Sequence, residues 1–312
     1  MIFGIEIETS SIKIAQVGKK YELLNWEIID VPEGVLSTEG VLDIDALVKN
    51  ISKILVKFEV KNPQVAFAVS GPTDTAVRIL KLPYIGRDEI ETNLPFELDK
   101  YIPFNVKEVY YDFHILNQSK EKGFSEILVA VATKKIIDEY TTIFEKAGMS
   151  PVLVDISALA LYNLYELNYL DHHAVVVINI GENFINFAIA KKNMPLYIRD
   201  STNAFDMKMF KDNENEIRNF ADEVASEIYR QIEYFKSFMA EENVKKIYIT
   251  GYPTIYPVFI SSLQERLDQE ILLFDPFRKI KINKKIEAKM QKYAHLSAVS
   301  IGLSLRGTEK IK

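Results

Sequence analysis

The stretch Ile5–Leu23, IEIETSSIKIAQVGKKYEL, has a near-copy at Ile178–Leu196, INIGENFINFAIAKKNMPL. In each, an alternating apolar strand runs into a polar turn, a second alternating strand follows, and a Lys-Lys turn leads to a third. A carboxylate or its amide holds the same place in each first strand, Glu6 in one and Asn179 in the other. A weaker echo links PQVAFAVSGPTDTA in the first half with VKKIYITGYPTIYP in the second. Such duplication predicts two related domains that face one another, each offering a turn to something held between them.

Composition fits that reading. A chain of 312 residues that is 48% hydrophobic can bury more than one core. A net charge of -6 argues against a nucleic-acid partner, because phosphate binding relies on clustered Lys and Arg. The chain has no Cys, hence no disulfide framework, thiolate metal site or Cys nucleophile, which suits a cytoplasmic protein. The start, MIFGIEIE, carries acid where a signal peptide would be apolar, and the run Ala174–Ile178 is too short to span a bilayer. We therefore expect a soluble protein without direct membrane insertion.

Alternation and β-branched runs predict strands near 3–8, 12–17, 21–29, 64–70 and 76–82. A helix opened by Asp43 fits between the third and fourth, with Leu47, Ile51, Ile54 and Phe58 on one face. From Pro83 to Gly148 the texture changes. An acidic helix, DEIETNLPFELDKY, should end or kink at Pro95. Strands at 106–116 and 126–132 and a helix from Thr133 follow, so the block reads as an inserted subdomain. A helix opened by Asp155 returns the chain to the first domain. The second half holds the echoed strands, a long amphipathic helix through Ile217, Val224, Ile228 and Phe235, and a closing helix at 294–305.

Three turns could carry chemistry. Thr9, Ser10 and Ser11 offer hydroxyls and backbone N–H groups that can cradle phosphate oxygens, with Lys13 to neutralise them. The plainer alternative is a hydroxyl-rich hairpin turn. The partner turn, Asn179 to Asn183, contains Gly181, which frees the backbone to approach a ligand. Gly251, after the strand KIYIT, could lie against an adenine or ribose, but bulky Tyr252 and Pro253 behind it favour an ordinary strand-to-helix turn. His172 and His173 are adjacent and so point apart, and no helical metal spacing occurs. No GxSxG or SxxK context marks a nucleophile.

Another signal is the run ELDKYIPF followed by VYYDF. Tyr101, Ile102, Pro103, Phe104, Tyr111 and Phe113 crowd around a turn fixed by Pro103, and they cannot all point inward. Some belong to a subdomain core. An exposed remainder would form a groove for a partner peptide.

The passage ELDKYIPFNVKEVYYDFHIL resembles the PilM family, the cytoplasmic actin-like proteins of type IV pilus assembly. GIEIETSSIKIAQV, KAGMSPVLVDISALAL, EIYRQIEYF, ITG, LLFDPF and AVSIGLSLRG support the likeness in order along the chain. The resemblance implies an actin-like two-domain α/β fold of the FtsA type. Subdomain 1A would take 1–82 and 149–173, an inserted 1C would take 83–148, 2A would take 174–200 and 244–312, and 2B would take 201–243. It implies capture of the N-terminal tail of a PilN-like inner-membrane protein in a groove between 1A and 1C, the cytoplasmic pilus motor ATPase as a further partner, and ATP with Mg as the candidate cofactor.

Departures from the family pattern bear on that cofactor. The first turn usually reads Asp-Ile-Gly, and here it is Glu6-Ile7-Glu8. A carboxylate about 4 Å from a phosphate, at an effective dielectric near 20, is repelled by roughly 4 kcal/mol before screening. Asn179 replaces an Asp and cannot supply charge to Mg, a Gly pair is reduced to Gly251, and the glycines and Gln usual after the second hairpin are missing from STNAFDMKMF. We expect a scaffold with a degenerate nucleotide site. An ATP-dependent conformational switch is the alternative, in which Glu6 organises Mg through water. A sugar or acetate kinase would need a carboxylate base where Asn179 stands. An FtsA-type division protein would need a membrane helix, whereas this chain stops at LRGTEKIK.

Overall fold

The computed structural model describes residues 1–37, 40–192, 194–203 and 213–307. The first echo forms an antiparallel meander of β1 (Phe3–Ile7), β2 (Ser11–Val17) and β3 (Glu22–Asp30). A small ribbon, β4 (Leu36–Ser37) and β5 (Gly40–Val41), leads to α1 (Ile44–Phe58). As expected, the Asp43 carboxylate caps α1 by accepting from the Ala46 N–H at 2.9 Å, and Leu47, Ile51 and Ile54 are buried. Next come β6 (Gln64–Val69) and β7 (Thr75–Pro83), then α2 (Arg87–Leu98), β8 (Val109–Ser119), β9 (Phe124–Thr133), α3 (Lys134–Lys146), β10 (Ser150–Ile156) and α4 (Ser157–Asn168).

The second echo is the meander β11 (Val175–Ile180), β12 (Phe184–Lys191) and β13 (Met194–Thr202), followed by α5 (Glu214–Phe238) and β14 (Lys246–Gly251). The chain continues through α6 (Pro257–Arg266), β15 (Glu270–Leu273), β16 (Lys281–Ile282), α7 (Glu287–Tyr293) and α8 (Ala298–Leu305).

The repeat extends to whole sheets. One has the order β10-β6-β1-β2-β3-β16 and the other β13-β12-β11-β14-β15. In each, an antiparallel meander is extended by parallel strands beside its first member. The two hairpins share register: Glu6 faces Lys13 as Asn179 faces Asn186. They also close alike, Glu8 N–H to Ser11 O at 2.8 Å and Gly181 N–H to Phe184 O at 3.0 Å.

Between the sheets, α4 and α8 cross and build a core drawn from both halves, including Trp26, Leu161, Tyr165, Val177, Ala188 and Ile301. The crossing is close, since a Cβ on Gly302 would lie 1.9 Å from the Ala160 carbonyl oxygen. A continuous core of this kind resists free hinging of the halves.

Several boundaries differ from the sequence reading. β7 belongs to a third sheet, β7-β9-β8, rather than to the first domain, and α3 packs Ile143 and Phe144 into the first domain's core with Leu47, Ile51 and Phe67. The three strands of that sheet lie within 75–133. α2 runs through Pro95 because Ile90, Leu94 and Leu98, all fully buried, anchor it on both sides of the missing N–H. Asp155 does not cap α4: its carboxylate accepts from Asn163 Nδ2 at 3.3 Å and lies 3.6 Å from Arg306. The closing helix begins at Ala298, after a short turn at 294–296. Within 201–243, α5 lies in the second sheet's own core beside Ile178, Ile249 and Phe259. The remainder of that expected subdomain, Ala204–Asp212, lies outside the described residues, as do Thr308–Lys312.

Candidate functional site

The β1–β2 and β11–β12 turns meet across the interdomain cleft and bind one another. The Glu182 carboxylate of the second turn accepts from the Ser10 N–H at 2.7 Å and from the hydroxyls of Ser10 at 2.6 Å, Ser11 at 3.1 Å and Thr9 at 3.0 Å. The Thr9 hydroxyl also lies 2.8 Å from Asn183 Oδ1. In return, Glu8 Oε1 of the first turn accepts from the Glu182 N–H at 2.9 Å. The donors that sequence reading assigned to a phosphate therefore surround a carboxylate of the protein itself. Gly181 permits this, since a Cβ there would lie 2.2 Å from Glu8 Oε1.

Beneath the turns lies Lys13, buried and ion-paired with Glu8 and, at 3.6 Å, with Glu6. Burial pushes the Glu6 carboxyl well above the usual carboxylate range, and Glu8 and Glu182 add to that, against the pull of Lys13. Burial alone would lower Lys13, but Glu6, Glu8 and Glu182 together outweigh it and hold the ammonium charged. Three carboxylates around one ammonium form a coupled set in which a proton on Glu6 relieves the excess negative charge.

On the other side, Asn179 Nδ2 donates to Asn186 Oδ1 at 2.9 Å, and Asn186 Nδ2 donates to Asp200 Oδ1 at 2.9 Å. Asp200 then accepts from the Gly71 N–H at 3.3 Å, a further bond between the halves. Burial raises the Asp200 carboxyl to about 6. Asn203 Nδ2 donates to Gly181 O at 2.7 Å and fixes the second turn. Gly251 abuts the Ile180 backbone at the end of β14, a packing role. His295 lies near Lys13, and burial together with that charge lowers it to about 4. Asp200 escaped the sequence reading, His295 was given no role there, and Glu182 entered it only as part of the turn Asn179 to Asn183. Glu182 alone carried a signal, an acid at the tip of a duplicated turn.

The aromatic stretch divides. Ile102 and Phe113 are buried in the inserted block's core with Ile90 and Leu98 and so belong to the part of the stretch that fills that core. Alternation along β8 puts Phe113 and Val109 on the face under α2. Tyr110 takes the opposite face, its hydroxyl donating to Asp138 at 3.1 Å and its ring under Lys134. Tyr101 is 42% exposed, Tyr111 is also exposed, and Phe104 is half-buried against the same core. Pro103 lines a cavity with Thr75–Arg78 and Ile198–Asp200. Among the described residues, β8 pairs with β9 alone and is an edge strand, the kind of edge to which an extended chain can add.

Comparison with known proteins gives one family and one fold. The family model described as type IV pilus assembly protein PilM matches residues 4–213 and 203–308. Among solved structures, a chain of the PilM–PilN type IV pilus biogenesis complex is similar with a TM-score of 0.84 and 22% identity, covering 99% of each chain. The ethanolamine utilization protein EutJ of Carboxydothermus hydrogenoformans gives a TM-score of 0.53 at 12% identity, covering 97% of this chain and 89% of that one. The cytoplasmic domain of EpsL, an inner-membrane component of the type II secretion system of Vibrio cholerae, gives 0.51 at 9% identity, covering 100% and 96%. The fold is the actin-like one that the duplicated hairpins predict.

Proposed function

The chain belongs to the PilM family of type IV pilus assembly proteins, and from that premise we propose that it acts as a scaffold that holds the N-terminal tail of a PilN-like inner-membrane protein. The inserted block supplies the surface for that tail. It offers the edge strand β8, where an extended segment can add as a further strand, together with exposed Tyr101 and Tyr111. Tyr110, on the face that turns toward α3, lines the approach to the first domain. A tail anchored in this way would hold the protein at the cytoplasmic face of the inner membrane, within reach of the pilus motor ATPase. Among the described residues, no helix is long and apolar enough to cross a membrane. Fluorescence anisotropy with a labelled peptide from the start of the PilN-like partner tests the surface. Tyr101→Ala or Phe104→Ala should weaken binding about tenfold, in keeping with loss of an aromatic anchor. Unchanged affinity in both would remove the assignment.

The cleft, in this proposal, is a structural joint rather than an ATPase centre. The observation that carries it is the Glu182 carboxylate among the donors of Thr9, Ser10 and Ser11. A triphosphate would have to displace that carboxylate and also approach Glu8. ATP with Mg fits this residue set poorly, and no nucleotide-dependent step is assigned to it.

A further inference from the structure

A second feature lies outside the cleft, between β7 of the inserted sheet and β13 of the second sheet, edge strands that face one another. There a cavity opens in two chambers that share Pro72, Arg199 and Asp200. The inner one, about 130 Å³, has apolar walls from Val77, Ile156 and Ile198 and also contains Arg78. The outer one, about 410 Å³, adds Thr202, Glu227, Arg230 and Tyr234.

The charges in this cavity are unbalanced. Two of the N–H groups of Arg78 go to carbonyls, Nε to Tyr101 O at 2.9 Å and Nη1 to Val77 O at 2.8 Å. Arg78 is solvent-exposed overall; partial desolvation of its guanidinium and, after it, the charge of Arg199 lower its pKa. Arg199 leans on the Tyr197 hydroxyl and feels Glu227. Glu227, however, is already paired with Arg230 at 2.7 Å and accepts from Ser201 and Gln231. Asp200 faces the cavity, but its carboxylate is held by Asn186 and the Gly71 N–H. Among the described residues, neither Arg78 nor Arg199 has a carboxylate within ion-pair distance. The two guanidinium groups line one cavity with much of their surface in solvent, so their mutual repulsion is weak and both heads are accessible to a ligand. The planar fork of Arg is suited to bidentate contact with an oxyanion, and Thr202 and Tyr234 add hydroxyl donors nearby.

We propose that this cavity binds a small ligand through an oxyanion, phosphate or carboxylate, bridged by Arg78 and Arg199, with room for a short apolar extension in the inner chamber. Because Arg78 stands on the inserted sheet and Arg199 on the second, a bound anion ties the two together. It acts apart from the cleft, whose own anion position is filled by Glu182.

Thermal unfolding of the full chain tests the proposal, with inorganic phosphate or succinate titrated against chloride at matched ionic strength. A saturable rise in Tm of about 2–4 °C is expected at millimolar anion. Arg78→Gln and Arg199→Gln should abolish the rise. Each variant is compared with its own anion-free baseline, because Arg78→Gln also gives up the bonds to the Tyr101 and Val77 carbonyls and Arg199→Gln the contact with the Tyr197 hydroxyl. A response to phosphate alone assigns a phosphate-bearing ligand, to succinate alone a carboxylate, and to both a site that reads only the oxyanion. If Arg199→Gln does not fold, Arg199→Lys keeps the charge without the fork and should weaken the response. No saturable rise with either anion, or the same rise in the substituted proteins, would overturn the proposal.

Discussion

At Gly181 the absence of a side chain decides where Glu8 can go. Gly181→Ala would place a Cβ against Glu8 Oε1, the mobile end of a side chain, so the carboxylate moves rather than the backbone. The expected cost is that of the Glu8 bond to the Glu182 N–H, about 1–2 kcal/mol. Most of that cost should vanish when Glu8→Ala is already present, the remainder coming from the 3.1 Å approach to the Phe184 carbonyl oxygen, as urea unfolding of the double-mutant cycle would report. His295 makes a second expectation at this scale. Its folded pKa, about 4, lies below its ordinary value of 6.5, so between those values the unfolded chain holds a proton that the folded chain refuses. The part of the stability that depends on His295 therefore falls as pH drops from about 6.5 toward 4, and His295→Gln should remove that part of the slope in unfolding measured across the range. Asp155 and Asp200, each raised to about 6, and Glu6, raised further, work in the opposite direction and persist in the substituted protein.

Among the elements, α4 and α8 decide whether the halves meet correctly. Gly302→Ala would drive a methyl into the backbone oxygen of Ala160, which cannot swing aside, and should destabilise by about 3 kcal/mol or more in chemical unfolding. At the same scale, sequence reading succeeds where local pattern decides and fails where packing does. Alternation found the hairpins, and Asp43 marked the start of α1. Pro95 looked like a helix end because its missing N–H is local, whereas the burial of Ile90, Leu94 and Leu98 that sustains α2 is not. The crowding of aromatics around Pro103 likewise did not reveal that Phe113 lies under α2 while Tyr111 stays exposed. β16 was illegible for the same reason: two residues near the end of the chain pair with β3 at its start.

In the molecule as a whole, two copies of one strand-turn-strand unit are locked by a shared core, and their turns satisfy each other across the cleft. The sequence displayed both turns and their unusual acids, Glu8 and Glu182. It could not display that each acid reaches the backbone of the opposite turn, because that contact depends on how α4 and α8 set the halves. Glu8 therefore looked only like an obstacle to phosphate, and it is also half of a joint. Calorimetric titration of the full chain with Mg-ATP tests this account most directly. It predicts no binding tighter than the micromolar range, because ligand phosphate must displace Glu182 from Thr9, Ser10 and Ser11. Stoichiometric binding well below micromolar would contradict it and make the protein a nucleotide-dependent switch.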